Sequence, residues 1–173
     1  MPNSPLFYGS IMTVRLGRIW AAVSKHGLVA VDFGITRARF AAALHRQTKS
    51  DPTYAPLRLR KVTRQIGEYL AGRRRHFDLS IDWFSLASDF QRRSLRAVFS
   101  IPYGQTRTYA EIAREIGYPR ATRAVGRANA TNPMPLVIPC HRVIGSDGRL
   151  HGYGGAGGLR TKAWLIAMER GHQ

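Results

Sequence analysis

The chain has 173 residues, is 44% hydrophobic and 10% aromatic, and carries 27 Lys and Arg against 10 Asp and Glu, a net charge of +17. That is enough apolar material for one or two small domains and too much for a disordered chain. A single cysteine excludes an internal disulfide and the multi-cysteine zinc sites, and no apolar run is long enough to span a membrane. One thiol and no leader-like opening lead to the expectation of a reducing cytoplasm. The positive excess is mostly arginine, since only Lys25, Lys49, Lys61 and Lys162 are lysines. Arginine pairs with phosphate and stacks on bases, so the charge points to nucleic acid; the rival is an arginine-rich surface that serves only solubility.

Residues 1–5 read as a frayed tail. Ile11 to Leu16 reads as a strand. Ile19 to Val23 and Leu28 to Phe33 flank Ser24-Lys25-His26-Gly27 and form a hairpin. Ala38 to His45 is a helix, separated by Asp51-Pro52 and Ala55-Pro56 from a second helix over Leu57 to Leu70. Phe77 to Phe84 is extended and irregular, and a domain boundary falls near Leu86, giving domains of residues 1–85 and 86–173. Beyond it, Ser88 and Gln91 have capping-box spacing and start a helix that stops before Ile101-Pro102. Thr108 and Glu111 form a second capping box, followed by Ile112, Ala113 and Ile116 at helical spacing and Gly117 as a stop. A third helix covers Ala121 to Ala130, and a last one Leu159 to Arg170. The expected fold class is α+β. An N-terminal α/β domain with a small antiparallel sheet precedes a mostly helical C-terminal domain with a winged-helix-like helix-turn-helix.

The helices over 109–116 and 121–130 are short and closely linked, as in a helix-turn-helix. On the later one, Ala121, Ala124, Val125 and Ala128 form the inward stripe, while Arg120, Arg123 and Arg127 share another face. Gly126 and the alanines keep it slim enough to approach a DNA groove. Downstream, Asn132-Pro133, Met134-Pro135 and Pro139 stiffen the approach to Cys140-His141. A cysteine nucleophile must become a thiolate and needs a nearby base, for which His141 is the candidate through a bridging water. A buried structural cysteine beside a chance histidine is the plain alternative. Glu169 is a candidate to orient His141; its plain alternative is a surface glutamate pairing with Lys162 or Arg170. The glycine run over 152–158 lacks the Lys-Ser/Thr of a phosphate loop and reads as a lid or closely approached wall.

Taken together, Ile101-Pro102-Tyr103-Gly104-Gln105-Thr106-Arg107-Thr108-Tyr109, Arg123-Ala124-Val125-Gly126, Asn132-Pro133, Pro139-Cys140-His141-Arg142-Val143, Gly152-Tyr153-Gly154 and Trp164-Leu165 with Glu169 resemble the O6-alkylguanine-DNA alkyltransferases. The resemblance covers about half the chain, in family order. It implies direct-reversal repair: one irreversible transfer of the alkyl group from O6-alkylguanine, and O4-alkylthymine, in double-stranded DNA to the protein's own cysteine. It implies Cys140 as acceptor, His141 as its base, Glu169 orienting His141, and Asn132 framing the turn. Tyr109 would donate a proton to the departing guanine. Arg123 would fill the gap in the base stack, with Thr108, Arg120, Arg127, Ala124 and Gly126 in a minor-groove DNA interface. Val143, Tyr153, Gly154 and Pro135 would line the base pocket. No cofactor or metal is implied, and the partner is DNA bound by a monomer, with cooperative binding left open.

Two departures from the family pattern bear on this reading. The loop over 152–158 is longer than the usual Gly-Tyr-x-Gly-Gly, and one cysteine makes the N-terminal zinc site of some members impossible. A non-enzymatic lesion-binding relative of the same fold is the alternative, against which Cys140 itself argues. A helix-turn-helix regulator is a third reading, but it would need neither the cysteine nor the histidine.

Overall fold

The structure, a computed structural model, describes residues 5–171; the frayed tail expected over residues 1–5 falls outside it except for Pro5. The chain divides into two compact units, 1–85 and 86–173.

In the first unit, β1 (Phe7–Thr13), β2 (Gly17–Ser24) and β3 (Gly27–Phe33) form an antiparallel meander. The first strand starts four residues earlier than its sequence suggests and also ends three earlier, because Val14 to Leu16 are spent on the turn into β2. The β2–β3 hairpin closes where expected, with Gly27 at φ +133° and beneath the Ser80 carbonyl, where a side chain has no room. Helix α1 (Arg37–Thr48) is capped by the Thr36 side chain and buries Phe40 and Leu44. These join Leu6, Tyr8, Trp20, Ala22, Val29 and Ala30 in one core layer. A two-residue strand, β4 (Thr53–Tyr54), pairs parallel with β1, so the sheet has order β3-β2-β1-β4 and is not purely antiparallel. The second expected helix is split into a 3-10 turn over Pro56–Leu59 and α2 (Arg60–Leu70). It buries Leu59, Val62, Ile66 and Tyr69. Glycine permits this layer to lie close to β1: a Cβ on Gly9 would stand 2.9 Å from Pro56 Cα.

In the second unit, α3 (Asp89–Phe99) begins at Ser88, whose side chain accepts from Gln91 N at 3.1 Å. The box is only half formed, since Gln91 Oε1 accepts instead from Ala87 N at 3.1 Å. Helix α4 (Tyr109–Glu115) carries the full reciprocal box between Thr108 and Glu111. It ends in a Schellman motif: Gly117, at φ +83°, donates to Arg114 O at 3.0 Å and Tyr118 donates to Ala113 O at 2.8 Å. Helix α5 (Thr122–Ala130) packs on α3 and α4, and α6 (Gly158–Gly171) closes the unit. Among the described residues no antiparallel hairpin follows α5 to form the expected wing. A short parallel pair stands there instead, β5 (Arg107–Thr108) with β6 (Val143–Ile144). It tethers the start of α4 to the residues just after Cys140, because Arg107 pairs with Val143 and Thr108 with Ile144.

Candidate active site

The segment between α5 and the cysteine is held by side-chain bonds and buried apolar residues. Asn132 donates from Nδ2 to Ile138 O at 2.8 Å and accepts at Oδ1 from Met134 N at 3.0 Å, bridging the loop at both ends. Met134, Leu136, Val137 and Ile138 are buried inside it. Leu136 sits at φ +73°, a conformation that costs a non-glycine residue about 1–3 kcal/mol and persists only where packing and hydrogen bonds enforce it. Cys140 to Arg142 then form a 3-10 turn, with Arg142 N donating to Pro139 O at 2.8 Å.

That turn sends His141 and Arg142 to one carboxylate. His141 Nε2 and Glu169 Oε1 are 2.8 Å apart, and Arg142 reaches both oxygens of Glu169 at 2.9 Å, through Nε and Nη2. Arg142 Nη1 also donates to Ile101 O at 2.6 Å, and Gly104 N donates to Glu169 Oε2 at 3.0 Å. All three side chains are buried, with His141 at 0% and Glu169 at 1% exposure. Glu169 is therefore not the surface partner of Lys162 or Arg170, since burial on the last turn of α6 commits it to His141 and Arg142. The role of Arg142 is not visible in the sequence, where it reads only as part of the motif.

The electrostatics follow from burial and these bonds. Burial pushes the Glu169 carboxyl up, but the bonds from His141 and Arg142 and their charges outweigh it and hold the group well below the usual carboxylate range. An ionised Glu169 accepts, so Nε2 of His141 carries the proton and Nδ1 is the basic nitrogen. Burial lowers the His141 pKa against the opposing pull of Glu169, which keeps the ring neutral. Burial pushes the Cys140 thiol up, while Asn132, the Lys162 charge and the backbone N–H groups of Cys140 and His141 act the other way. The resting cysteine is thus protonated, with a neutral base on the next residue and a set of groups that favour the thiolate once it forms.

Lys162 is the residue that sequence reasoning misplaced. It is fully buried on α6, with Nζ 2.7 Å from His151 O and 3.3 Å from the Tyr109 hydroxyl. Burial lowers its pKa to about 8. A sign of this was available: it is the one lysine of the second unit, at helical spacing from Leu165, Ile166 and Glu169. Tyr109, at the first position of α4, donates to His151 O at 3.3 Å, and burial raises its pKa, so it is a phenol near neutrality.

The remaining candidates fall around this centre or on α5. Val143 and Pro135 are buried, and Tyr153 is partly buried. Gly154 packs against the end of α5, where a Cβ would stand 2.6 Å from Ala130 O, so the loop is a closely approached wall. Arg120, Arg123 and Arg127 are exposed. Ala124 is exposed too, contrary to the inward stripe expected of it; the buried residues of α5 are Val125, Ala128 and Asn129. Asn129, which the sequence did not flag, donates to Val125 O at 2.9 Å. Thr108 caps α4, and its hydroxyl accepts from Glu111 N at 3.2 Å. At Gly126 an added Cβ would meet nothing within 4 Å, so packing within the protein does not require glycine there. Among the described residues no group of three His, Cys, Asp or Glu is placed to hold a metal ion, and no helix is long and apolar enough to cross a membrane.

Comparison with known proteins defines the class. Residues 89–171 match the 6-O-methylguanine DNA methyltransferase DNA-binding domain, and residues 6–83 match the ribonuclease-like domain of the same family. A methylated-DNA–protein-cysteine methyltransferase of Mycolicibacterium paratuberculosis is 46% identical over 84% of this chain and 86% of its own. One of Methanosarcina barkeri is 42% identical over 94% and 96%. The fold matches Mycobacterium tuberculosis OGT, solved in complex with DNA, at TM-score 0.81 and 35% identity over 96% of this chain and 94% of that one. The chain belongs to the methylated-DNA–protein-cysteine methyltransferase family.

Proposed function

We propose that this protein is a methylated-DNA–protein-cysteine S-methyltransferase that reverses O6-alkylguanine, and O4-alkylthymine, in duplex DNA by taking the alkyl group onto Cys140. The observation that carries this reading is the buried relay from the thiol's neighbour His141 to an ionised Glu169, in the same unit as an exposed arginine row on α5. The N-terminal unit has a structural role, and the C-terminal unit binds DNA and carries out the transfer. The lone thiol suits a reducing compartment such as the cytoplasm.

The α5 face would enter the minor groove as a monomer docks, with Arg120 and Arg127 on phosphates and Arg123 filling the space of the extruded nucleotide. The base then enters a pocket walled by Pro135, Val143, Tyr153 and Gly154. His141 Nδ1, through a water, takes the Cys140 proton, and Glu169 balances the imidazolium. Lys162 and the backbone N–H groups stabilise the thiolate. The sulfur attacks the alkyl carbon, an S–C bond forms, the C–O bond breaks, and its electron pair goes to guanine O6. The Tyr109 phenol supplies the proton that lets guanine leave as a neutral base. The thioether that remains has no reductant or second substrate to cleave it, so each molecule acts once. Cys140 also separates this reading from that of a non-enzymatic lesion binder, which needs no acceptor.

Incubation with an oligonucleotide containing O6-methylguanine should add one methyl mass to the Cys140 peptide and none to a Cys140→Ser protein. An unmodified Cys140 peptide would refute the reading.

Two further results are expected. Gly126→Ala should raise stability by about 0.5–1 kcal/mol, since a helical glycine gives way to alanine in open space. It should nevertheless slow repair in duplex DNA, because the new methyl stands on the groove-facing side; equal or faster duplex repair would argue against that docking. The second concerns Lys162, which holds its proton below about pH 8. The transfer rate should climb with pH as the thiol ionises and then flatten above about pH 8, where the ammonium is lost. In Lys162→Met the flattening should vanish and the rate should be lower below pH 8. A wild-type profile that climbs a full decade per pH unit through pH 9 would contradict this role.

A further inference from the structure

The unit without the thiol carries half of the charge. Residues 1–85 hold 14 Lys and Arg against 5 Asp and Glu, a net of +9, and residues 86–173 hold 13 against 5, a net of +8. The first unit's charge is distributed unevenly between its helices. On α2 two of the three positive charges are compensated: Lys61 pairs with Asp78 at 2.9 Å and Arg64 with Glu68 at 3.7 Å, a carboxylate that also takes Arg74, beyond the helix, at 2.7 Å, which leaves Arg60 alone exposed without an ion pair among the described residues of that helix. Helix α1 has twelve residues and no acidic one. Its buried side is Phe40 and Leu44, and its opposite side presents Arg39, Ala42 and Arg46, continued by Lys49 at the C-cap, all exposed.

Arg39, Arg46 and Lys49 make no ion pair and no side-chain hydrogen bond among the described residues. The charged groups near the row are few: Asp32 feels the charge of Arg39, and His45 pairs with the exposed Asp51 at 2.9 Å. Arg37 is engaged differently, with its guanidinium 4.2 Å over the Tyr54 ring and Nε 2.9 Å from the Tyr8 hydroxyl. Arginines at the start of α1 also oppose the helix dipole, which disfavours cations there, so local helix stability does not account for them.

We propose that the outward face of α1, formed by Arg39, Arg46 and Lys49, is a second contact surface for the phosphate backbone of duplex DNA. This goes beyond the repair reading, since it needs neither a lesion nor a thiol. The chemistry is that of a polyanion track. At a rise of about 1.5 Å per residue the three cations form a row roughly 15 Å long, about the axial length of four base pairs. Alanine at 42 keeps the face low between them. The row contains no aromatic side chain on which an unpaired base could stack, which favours a duplex over a single strand. Contacts of this kind hold and orient the protein without reading sequence.

The test uses the full chain and an undamaged 30-base-pair duplex, with affinity measured across a salt series. Each phosphate contact contributes about 0.9 to the slope of log affinity against log salt. Replacing Arg39, Arg46 and Lys49 together with Gln should make the slope shallower by roughly 2–3. Replacing the equally exposed Lys25, Arg60 and Arg73 with Gln removes the same charge elsewhere on the unit and should change the slope by less than about 1. The charge-keeping set Arg39→Lys, Arg46→Lys and Lys49→Arg should retain the wild-type slope. An equal fall in both Gln variants would mean diffuse charge and overturn the proposal, as would an unchanged slope in the first. So would a slope lost in the charge-keeping set, or a larger loss on single-stranded RNA than on the duplex. Transfer from free O6-benzylguanine should be unchanged in all variants, which keeps a failure of this proposal distinct from a failure of the repair reading.

Discussion

Replacing Glu169 with alanine is expected to cost the fold about 3–5 kcal/mol and to remove most of the transfer rate. The stability loss arises because Arg142, 6% exposed, would keep its buried charge with its carboxylate partner gone. Gly104 N would lose its acceptor as well. The rate loss arises because a neutral His141 would lose both the acceptor that sets its tautomer and the charge that balances its protonated form, a change worth about 10²–10⁴-fold in general-base steps. Thermal unfolding with single-turnover transfer on the same samples checks both. A variant that unfolds within about 1 kcal/mol of wild type would show that the pair is not buried as described.

The same cluster sets an acid limit. The folded His141 pKa lies below its ordinary 6.5, so below that value the unfolded chain binds a proton that the folded protein does not, and stability falls as pH drops. Glu169 adds to this at lower pH. Its folded pKa is depressed, so its contribution is present above the ordinary 4.5 and is lost as pH falls toward the folded value. Stability should therefore begin to decline near pH 6.5 and steepen below 4.5.

Arg123→Ala is expected to slow repair of O6-methylguanine in duplex DNA by about ten- to a hundredfold while leaving transfer from free O6-benzylguanine within about twofold. Extruding a nucleotide costs a few kcal/mol, and a side chain that occupies the gap recovers part of it, at about 1.4 kcal/mol per decade. The exposed position of Arg123, with its side chain on no buried element of the site, is what separates the two substrates. Equal losses on both would place Arg123 in the transfer step or in folding and would contradict an extrahelical role.

Local rules carried the sequence reading far in the second unit. The Thr108–Glu111 box, the Gly117 stop and the short α4–α5 link are set by neighbours three to four residues apart, and the structure has all of them. The same rules failed where pairing is long-range. The two-residue strands β4, β5 and β6 carry too little pattern to be seen, since their partners lie elsewhere in the chain. The end of β1 was misplaced because Val14 to Leu16 look strand-like but form a turn, and its start because pairing of Phe7 with Val23 on β2 extends the strand toward the N-terminus. Ala124 was turned inward on helical periodicity alone, whereas the contacts of α5 with α3 and α4 select Val125, Ala128 and Asn129.

Legible along the chain is the chemistry of near neighbours: a lone thiol, an imidazole on the next residue, prolines that stiffen the approach, and an arginine row at helical spacing. Which charges are buried together is set by long-range packing. Glu169 lies 28 residues from His141 and Lys162 lies 53 from Tyr109, separations over which no periodicity carries information. Read along the chain, Glu169 and Lys162 look like a surface pair on α6. In the fold, burial removes both from water, and each must then satisfy its charge or hydrogen bonds on whatever packing brings near, which is His141 with Arg142 for Glu169 and the Tyr109–His151 edge for Lys162.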